Sequence, residues 1–268
     1  MYADDTVIYV SHKSISEVEE ALTGDMANIA QWLENNRLIT NLKKGKTETI
    51  FFAKRLHSKN DLKISINEHL IHFVNSYKYL GVLLDPCLNM KEHLQKTLKS
   101  AAVRIKLLKR MRQSLTSHAA ESIYKAIVLP KMLYCSTPTL KISDTMGKKF
   151  ESLQARAIKI IHHPEFDQER RFMTILNRKK FKADLLIFNC LQGTSIPNFE
   201  SYGERVSHNY GTRGNKATLR IPRVKTEAAK KSFWFQGPSC FNELPIDIRS
   251  LDSIVVFKHR LKEHLEGL

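Results

Sequence analysis

The sequence predicts an α+β fold: a helix laid against an antiparallel sheet over residues 1–86, followed by an α-helical region. Three observations predict it. The stretch SISEVEEALTGDMANIAQWLENNRL repeats apolar residues at helical spacing, short β-branched and aromatic runs divided by turn chemistry surround it, and beyond Met90 the pattern changes to long helical periodicities. Four parts follow: 1–86 as the mixed part, 87–192 as helical, 193–231 as a basic polar linker, and 232–268 as a small aromatic-rich segment with a terminal helix.

The chain opens MYADDTVIYV. Residues 6–10 are β-branched or aromatic throughout and too short for a helix, which predicts a buried strand with Asp4 and Asp5 at its mouth. Adjacent unpaired carboxylates repel, so they belong either in a solvated turn that screens the repulsion or at a cation that cancels it.

In the helix that follows, Ile15, Val18, Leu22, Met26, Ile29 and Leu33 form the apolar face, and Ser14 with Glu17 matches a capping box. Short strands are predicted at 38–41, 47–53, 62–66, 71–74 and 79–85, separated by turns such as KKGK and INEH. From Met90, Leu94, Leu98, Ala101, Ile105, Leu108 and Met111 mark one helix face. The same stretch carries Lys96, Lys99, Arg104, Lys106, Lys109, Arg110 and Arg112, with no acid between Gln95 and Ala120, which predicts a cationic stripe.

Further helices are predicted at 119–129, ended by Pro130, at 145–162 with Met146, Phe150, Leu153, Ala157, Ile160 and Ile161 inward, and at 168–191, closed by Gly193. Beyond it the chain to residue 231 is polar, basic and rich in Gly, Ser and Asn, the composition of a partly ordered linker. In the tail, Phe233, Trp234, Phe235 and Phe241 cluster and Phe257, Leu261 and Leu265 share a helix face, predicting a small satellite that docks on or caps the helices.

Lys and Arg number 43 against 27 Asp and Glu, a net charge of +16 with a pI near 9.7, and this calls for a polyanionic partner, nucleic acid before anionic membrane. No apolar run approaches the roughly 18–20 residues of a membrane span and no signal peptide is evident, so an intracellular protein, nuclear or cytoplasmic, is expected. Cys87, Cys135, Cys190 and Cys240 are too scattered for a zinc knuckle or a disulfide framework. His162 and His163 close an apolar helix before Pro164, where a role at the helix C-terminus is favoured over metal binding.

MYADDTVIY resembles the strand-turn-strand of reverse transcriptases, in which an aromatic-X-Asp-Asp turn holds catalytic aspartates. NRLITNLKKGKTETIFF resembles the next palm motif of non-LTR (LINE-type) retrotransposon polymerases, and SYKYLGVLLD their primer-grip hairpin. The tail, from RIPRVKTEAAKKSFWFQGPSCFNELPIDIRS onward, is similar to the end of many animal LINE reading frames, with its Gly-Pro, aromatic-Asn, Leu-Pro pattern; Phe241 stands where Trp is usual.

The resemblance implies an RNA-directed DNA polymerase with an RNA template and a DNA primer as partners, and a palm remnant followed by a thumb and C-terminal region. It implies two-Mg²⁺ nucleotidyl transfer, which needs carboxylates holding ions about 4 Å apart. Asp4 would be the chief metal ligand and Asp5 a weaker one, with Tyr2 beneath the nucleotide or primer end. Lys46 would neutralise phosphate or protonate pyrophosphate, with Lys43 and Lys44 as alternatives; the same KKGK also reads as a solvated basic turn. Tyr79, Leu80 and Gly81 would form the primer grip, and Lys96, Lys99, Arg104, Lys106, Lys109, Arg110 and Arg112 would track phosphates from the thumb.

The family's palm draws a further carboxylate from far upstream, whereas only Met1 precedes Tyr2. Asp61, Asp85 and Asp144 sit where turn and cap roles explain them. The sequence therefore reads as a truncated copy or a late-starting reading frame, with weak Mg²⁺ binding and no polymerase activity expected by itself. A non-catalytic RNA- or DNA-binding module, or a decayed reading frame without function, is the alternative.

Overall fold

Ser14 starts the first helix as its spacing predicts. In a computed structural model of the chain, which describes residues 5–43, 45–52, 63–66, 69–162, 172–194, 204–205 and 218–267, the Ser14 hydroxyl accepts the Glu17 amide at 3.3 Å and the Glu17 carboxylate accepts the Ser14 amide at 3.3 Å. This reciprocal box satisfies two amides that a helix start leaves without partners. It opens α1 (Ile15–Asn35). The chain divides into two units, Met1–Met90 and Lys91–Leu268.

In the first unit, α1 buries Met26 and Ala30 with Ile64, Ile66 and Ile71, while Ile8, Ile15, Val18 and Leu22 pack around them. Among the described residues, six short strands, β1 (Glu48–Thr49), β2 (Ser65–Ile66), β3 (His69–Leu70), β4 (His72–Phe73), β5 (Tyr77–Tyr79) and β6 (Val82–Leu84), form three two-stranded ladders. β2–β3 and β5–β6 are antiparallel, but β1 and β4 run parallel, with Glu48 opposite His72. The mixed α+β character holds, while the single antiparallel sheet expected from the sequence does not.

Two predicted strands do not form among the described residues. Residues 6–10 keep a strand's alternation, with Ile8 and Val10 half-buried and Tyr9 88% exposed, but carry no ladder; residues 38–41 are likewise unpaired, with Ile39 96% exposed. Composition reports whether a side chain suits a pleated, half-buried surface, whereas a strand also needs a neighbour for its N–H and C=O groups. The strand expected over 79–85 is instead the end of β5, a turn and β6.

In the second unit, α2 (Lys91–Met111), α3 (Ser117–Ile123) and α5 (Asp144–Ile161) pack around a core of Ala101, Ile105, Leu108, Tyr124, Phe150, Ala157 and Ile161. Pro130 does not end the third of the predicted helices. A π-turn (Tyr124–Val128) shifts the hydrogen-bond register, the Leu129 amide bonding Tyr124, so that Pro130 falls in the first turn of a fresh segment, α4 (Leu129–Met132). There proline's fixed φ suits the first turn of a helical segment, the position where helices tolerate it best.

The helix predicted from residue 168 begins, as α6 (Ile175–Leu191), at the Thr174 cap; residues 163–171, His163 among them, lie outside the described residues. Its end is the one its glycine predicts. Gly193 (φ 66°) bonds the Cys190 carbonyl at 3.2 Å and Thr194 that of Asn189 at 3.0 Å, the paired bonds of a Schellman stop. The predicted linker lies mostly outside the described residues; within it, Leu219 is 2% exposed and α7 (Glu227–Lys231) forms a short helix.

The tail folds as α8 (Phe233–Glu243), α9 (Ile246–Arg249) and α10 (Ile254–Gly267), sharing one core with α6. Phe257 stacks on Phe188 at 4.1 Å and on Phe241 at 6.0 Å. The pattern GPSCFNELP now has a physical meaning. A Cβ on Gly237 would come within 2.9 Å of Ile187 and of the Phe233 ring. The Asn242 amide accepts the Leu219 N–H at 2.8 Å and donates to its carbonyl at 2.9 Å, imitating a paired strand.

Two ionisable groups on α6 are almost wholly enclosed. Lys179 donates to the Thr139 carbonyl and hydroxyl at 3.1 and 3.2 Å and lies 5.1 Å from the Phe150 ring centre, and burial lowers its pKa to about 8. Asp184 is 1% exposed. Burial first, and Glu243 second, push its carboxyl from 3.8 up to about 8, against the pull of Lys180.

Gly237→Ala is expected to lower stability by about 1–3 kcal/mol, measured by urea denaturation, since the added methyl must displace a ring and an isoleucine in a packed core. Asp184 gives a pH signature. A raised folded pKa means the native state alone holds the proton between about pH 4 and 8, so stability falls as pH rises through that window and levels off above it. Asp184→Asn removes that slope: its stability relative to the unmodified chain should improve steadily from pH 5 to pH 8, and a pH-independent difference would refute the assignment.

Candidate nucleic-acid interface and the acidic turn

Of the acidic turn, Asp5 is described and exposed; Tyr2 and Asp4 lie outside the described residues. Among the described residues no three His, Cys, Asp or Glu side chains converge as a metal site.

Lys46 and Lys43 sit on a built turn, with Lys44 outside the described residues. The Lys46 amide bonds the Lys43 carbonyl at 3.0 Å, Gly45 takes a φ of 86° and donates to the Glu48 carboxylate at 2.8 Å, and the Thr47 hydroxyl bonds the Asn41 carbonyl at 2.9 Å. Both lysines are exposed on it. Asp85 has the local role expected of it, accepting amides of Cys87, Asn89 and Met90 at 3.1, 3.2 and 2.9 Å.

Tyr79, Leu80 and Gly81 form the apex of the β5–β6 hairpin. Tyr79 pairs with Val82, leaving Leu80 (φ 45°) and Gly81 (φ 81°) as a two-residue loop with both residues left-handed, which matches the right-handed twist of the strands. Glycine takes that conformation freely. Leucine does not, at a cost of roughly 1–2 kcal/mol, so Leu80 holds a strained backbone at the hairpin tip.

The cations of α2 divide by face. At about 100° per residue, Lys96, Lys99, Lys106 and Arg110 lie opposite the buried line of Leu94, Thr97, Ala101, Ile105 and Leu108, with Lys109 at its edge; all five are exposed. Lys96 pairs with Glu92 at 3.3 Å; among the described residues the other four have no ion pair. From Lys96 to Arg110 the face runs about 21 Å, some six base pairs of duplex rise.

Arg104 and Arg112 point elsewhere. The part-buried Arg104 guanidinium bonds the Ser100 carbonyl and hydroxyl on its own helix. Arg112 donates to the carbonyls of Ile160 at 2.8 Å, Ile161 at 3.0 Å and Leu115 at 2.6 Å, and to the Ser117 hydroxyl at 2.9 Å. Those bonds tie the end of α2 to the last turn of α5, where a cation also meets the negative end of the helix dipole. His162 caps the same helix, its amide bonding Ile158 at 2.9 Å and its ring 5.5 Å from Phe172.

A second basic face escaped the sequence reading. On α5, Lys148, Lys149, Arg156 and Lys159 are all exposed, opposite buried Met146, Phe150, Leu153 and Ala157. The spacing that marked the apolar side of this helix also marks these four. The intervening Glu151 is turned to another use, accepting the Leu176 amide at the start of α6 at 3.1 Å.

The chain is similar to the RNA-directed DNA polymerase from mobile element jockey of Drosophila melanogaster, 32% identical over 163 residues, and to that of Drosophila funebris, 27% identical over 163 residues. The match covers 60% of this chain and 17% of each relative, so the chain spans about a sixth of their length. No family model and no solved structure matches. These relatives support the resemblance to a non-LTR (LINE-type) retrotransposon reverse transcriptase.

Arg112→Ala should cost about 2–3 kcal/mol in urea denaturation of the full chain, because several part-buried carbonyls lose a charged donor. Lys106→Gln, on the open face of α2, should stay within about 0.5 kcal/mol.

Proposed function

We propose that this chain serves a non-LTR retrotransposon reverse transcriptase as the part that holds the template–primer duplex. Met1–Met90 would be a palm remnant ending in a primer grip at Tyr79, Leu80 and Gly81, and the helices from Lys91 onward a thumb with its C-terminal support. The observation that carries the reading is the exposed face of α2, where Lys96, Lys99, Lys106, Lys109 and Arg110 line one side of a 21-residue helix. Similarity to the jockey polymerases supports it independently.

A row of cations with few paired acids attracts the phosphate backbone by releasing condensed counterions, giving affinity that ignores sequence and falls steeply with salt. Arg104 and Arg112, bonded within the fold, are left out of the proposed contacts. Lys46, Asp4 and Asp5 stay in the proposed polymerase site. Nucleotide incorporation needs two Mg²⁺ ions, and the Asp4–Asp5 pair offers too few carboxylates to hold them. The chain is accordingly proposed to bind RNA–DNA hybrid without extending the primer alone.

The test is fluorescence anisotropy with a labelled RNA–DNA hybrid over about 50–200 mM salt, paired with primer extension on an RNA template in Mg²⁺. Charge reversal by Lys106→Glu, Lys109→Glu and Arg110→Glu should weaken binding and flatten the log–log salt slope by roughly 0.9 per lost contact, the duplex-DNA value. Unchanged affinity would sink the thumb assignment. Incorporation by the chain alone would show that a residue beyond Asp4 and Asp5 completes the metal site.

A further inference from the structure

We infer that the outer face of α5 is a second phosphate-binding track for the same duplex, built from Lys148, Lys149, Arg156 and Lys159; this rests on the nucleic-acid reading of α2 and extends it. All four side chains are exposed on one side of the helix. Among the described residues none has an ion pair, and the acid between them, Glu151, is held at the start of α6. Arg156 and Lys159 are three apart and so lie side by side on the helix surface, where like charges repel by a few tenths of a kcal/mol. A polyanion laid along the face removes that repulsion.

The placement is fixed from within the fold. α5 and α2 pack on each other around one core, and Arg112 bonds the last-turn carbonyls of α5 from the end of α2. The two cationic faces therefore belong to one rigid pair of helices. Lys148 to Lys159 spans about 16 Å along the axis, enough to meet several phosphates of one strand. Nucleic acid is favoured over an anionic membrane because the exposed face of α5 bears no large apolar side chain to enter a bilayer, as a membrane-surface helix would.

The experiment compares salt-titrated anisotropy of a labelled duplex with the full chain, the α5 variant Lys148→Gln/Lys149→Gln/Arg156→Gln/Lys159→Gln, and the α2 variant Lys106→Gln/Lys109→Gln/Arg110→Gln. Circular dichroism checks that each is folded. The α5 variant should bind at least tenfold more weakly and lose up to about 3.6 from the salt slope, at roughly 0.9 per contact. A charge-preserving Lys148→Arg/Lys149→Arg/Lys159→Arg variant should keep both, which separates lost charge from lost shape. If the α5 variant binds like the unmodified chain while the α2 variant is weakened, the second track is overturned and the first reading stands. If the unmodified chain binds no duplex, both fall. Loss of binding to phosphatidylserine vesicles with duplex affinity intact overturns the track in favour of a membrane surface.

Discussion

The ends of α-helices leave carbonyls and amides without intrahelical partners, and the second unit is organised by side chains that reach across to meet them. Arg112, from the end of α2, takes the last-turn carbonyls of α5. Glu151 of α5 takes an amide at the start of α6, and Asn177 of α6 donates to the Leu265 carbonyl near the end of α10 at 2.8 Å. Each link fixes one helix relative to the next, with geometry stricter than apolar packing alone imposes. With the inner faces so fixed, the lysines on the outer faces of α2 and α5 are exposed.

α6 connects the two cores of that unit. Ile175 belongs to the core around α2, α3 and α5, while Ala183, Ile187 and Phe188 belong to the core of the tail. A helix covered on so many sides encloses whatever polar groups it carries, hence the depressed Lys179 and the raised Asp184. The Gly-Pro, aromatic-Asn, Leu-Pro pattern of the tail serves this packing: Gly237 permits the close approach to Ile187, Phe241 stacks on Phe257, and Asn242 pins Leu219.

Charge is divided along the chain. α1 carries Glu17, Glu19, Glu20, Asp25 and Glu34 and no cation, so the net charge of +16 lies in other elements. Where α2 and α5 expose it, the residues that build the core are turned inward, although Val103, Leu107 and Met111 of α2, the last of them expected on the apolar face, are half-exposed.

Local chemistry was legible in the sequence wherever a few neighbouring residues suffice. The capping box of Ser14 and Glu17, the Gly193 stop, the apolar lines of α1, α2 and α5, and the left-handed Gly81 all depend on short-range sterics and hydrogen bonds. What needed tertiary structure was partnership. Residues 6–10 and 38–41 have strand composition but form no ladder among the described residues, Pro130 is absorbed by a π-turn within a packed helix, and β1 runs parallel to β4. Likewise seven cations on one helix looked alike as residues. Only the fold set five toward solvent, committed Arg104 to Ser100 on its own helix, and committed Arg112 to the end of α5, where last-turn carbonyls lack intrahelical partners.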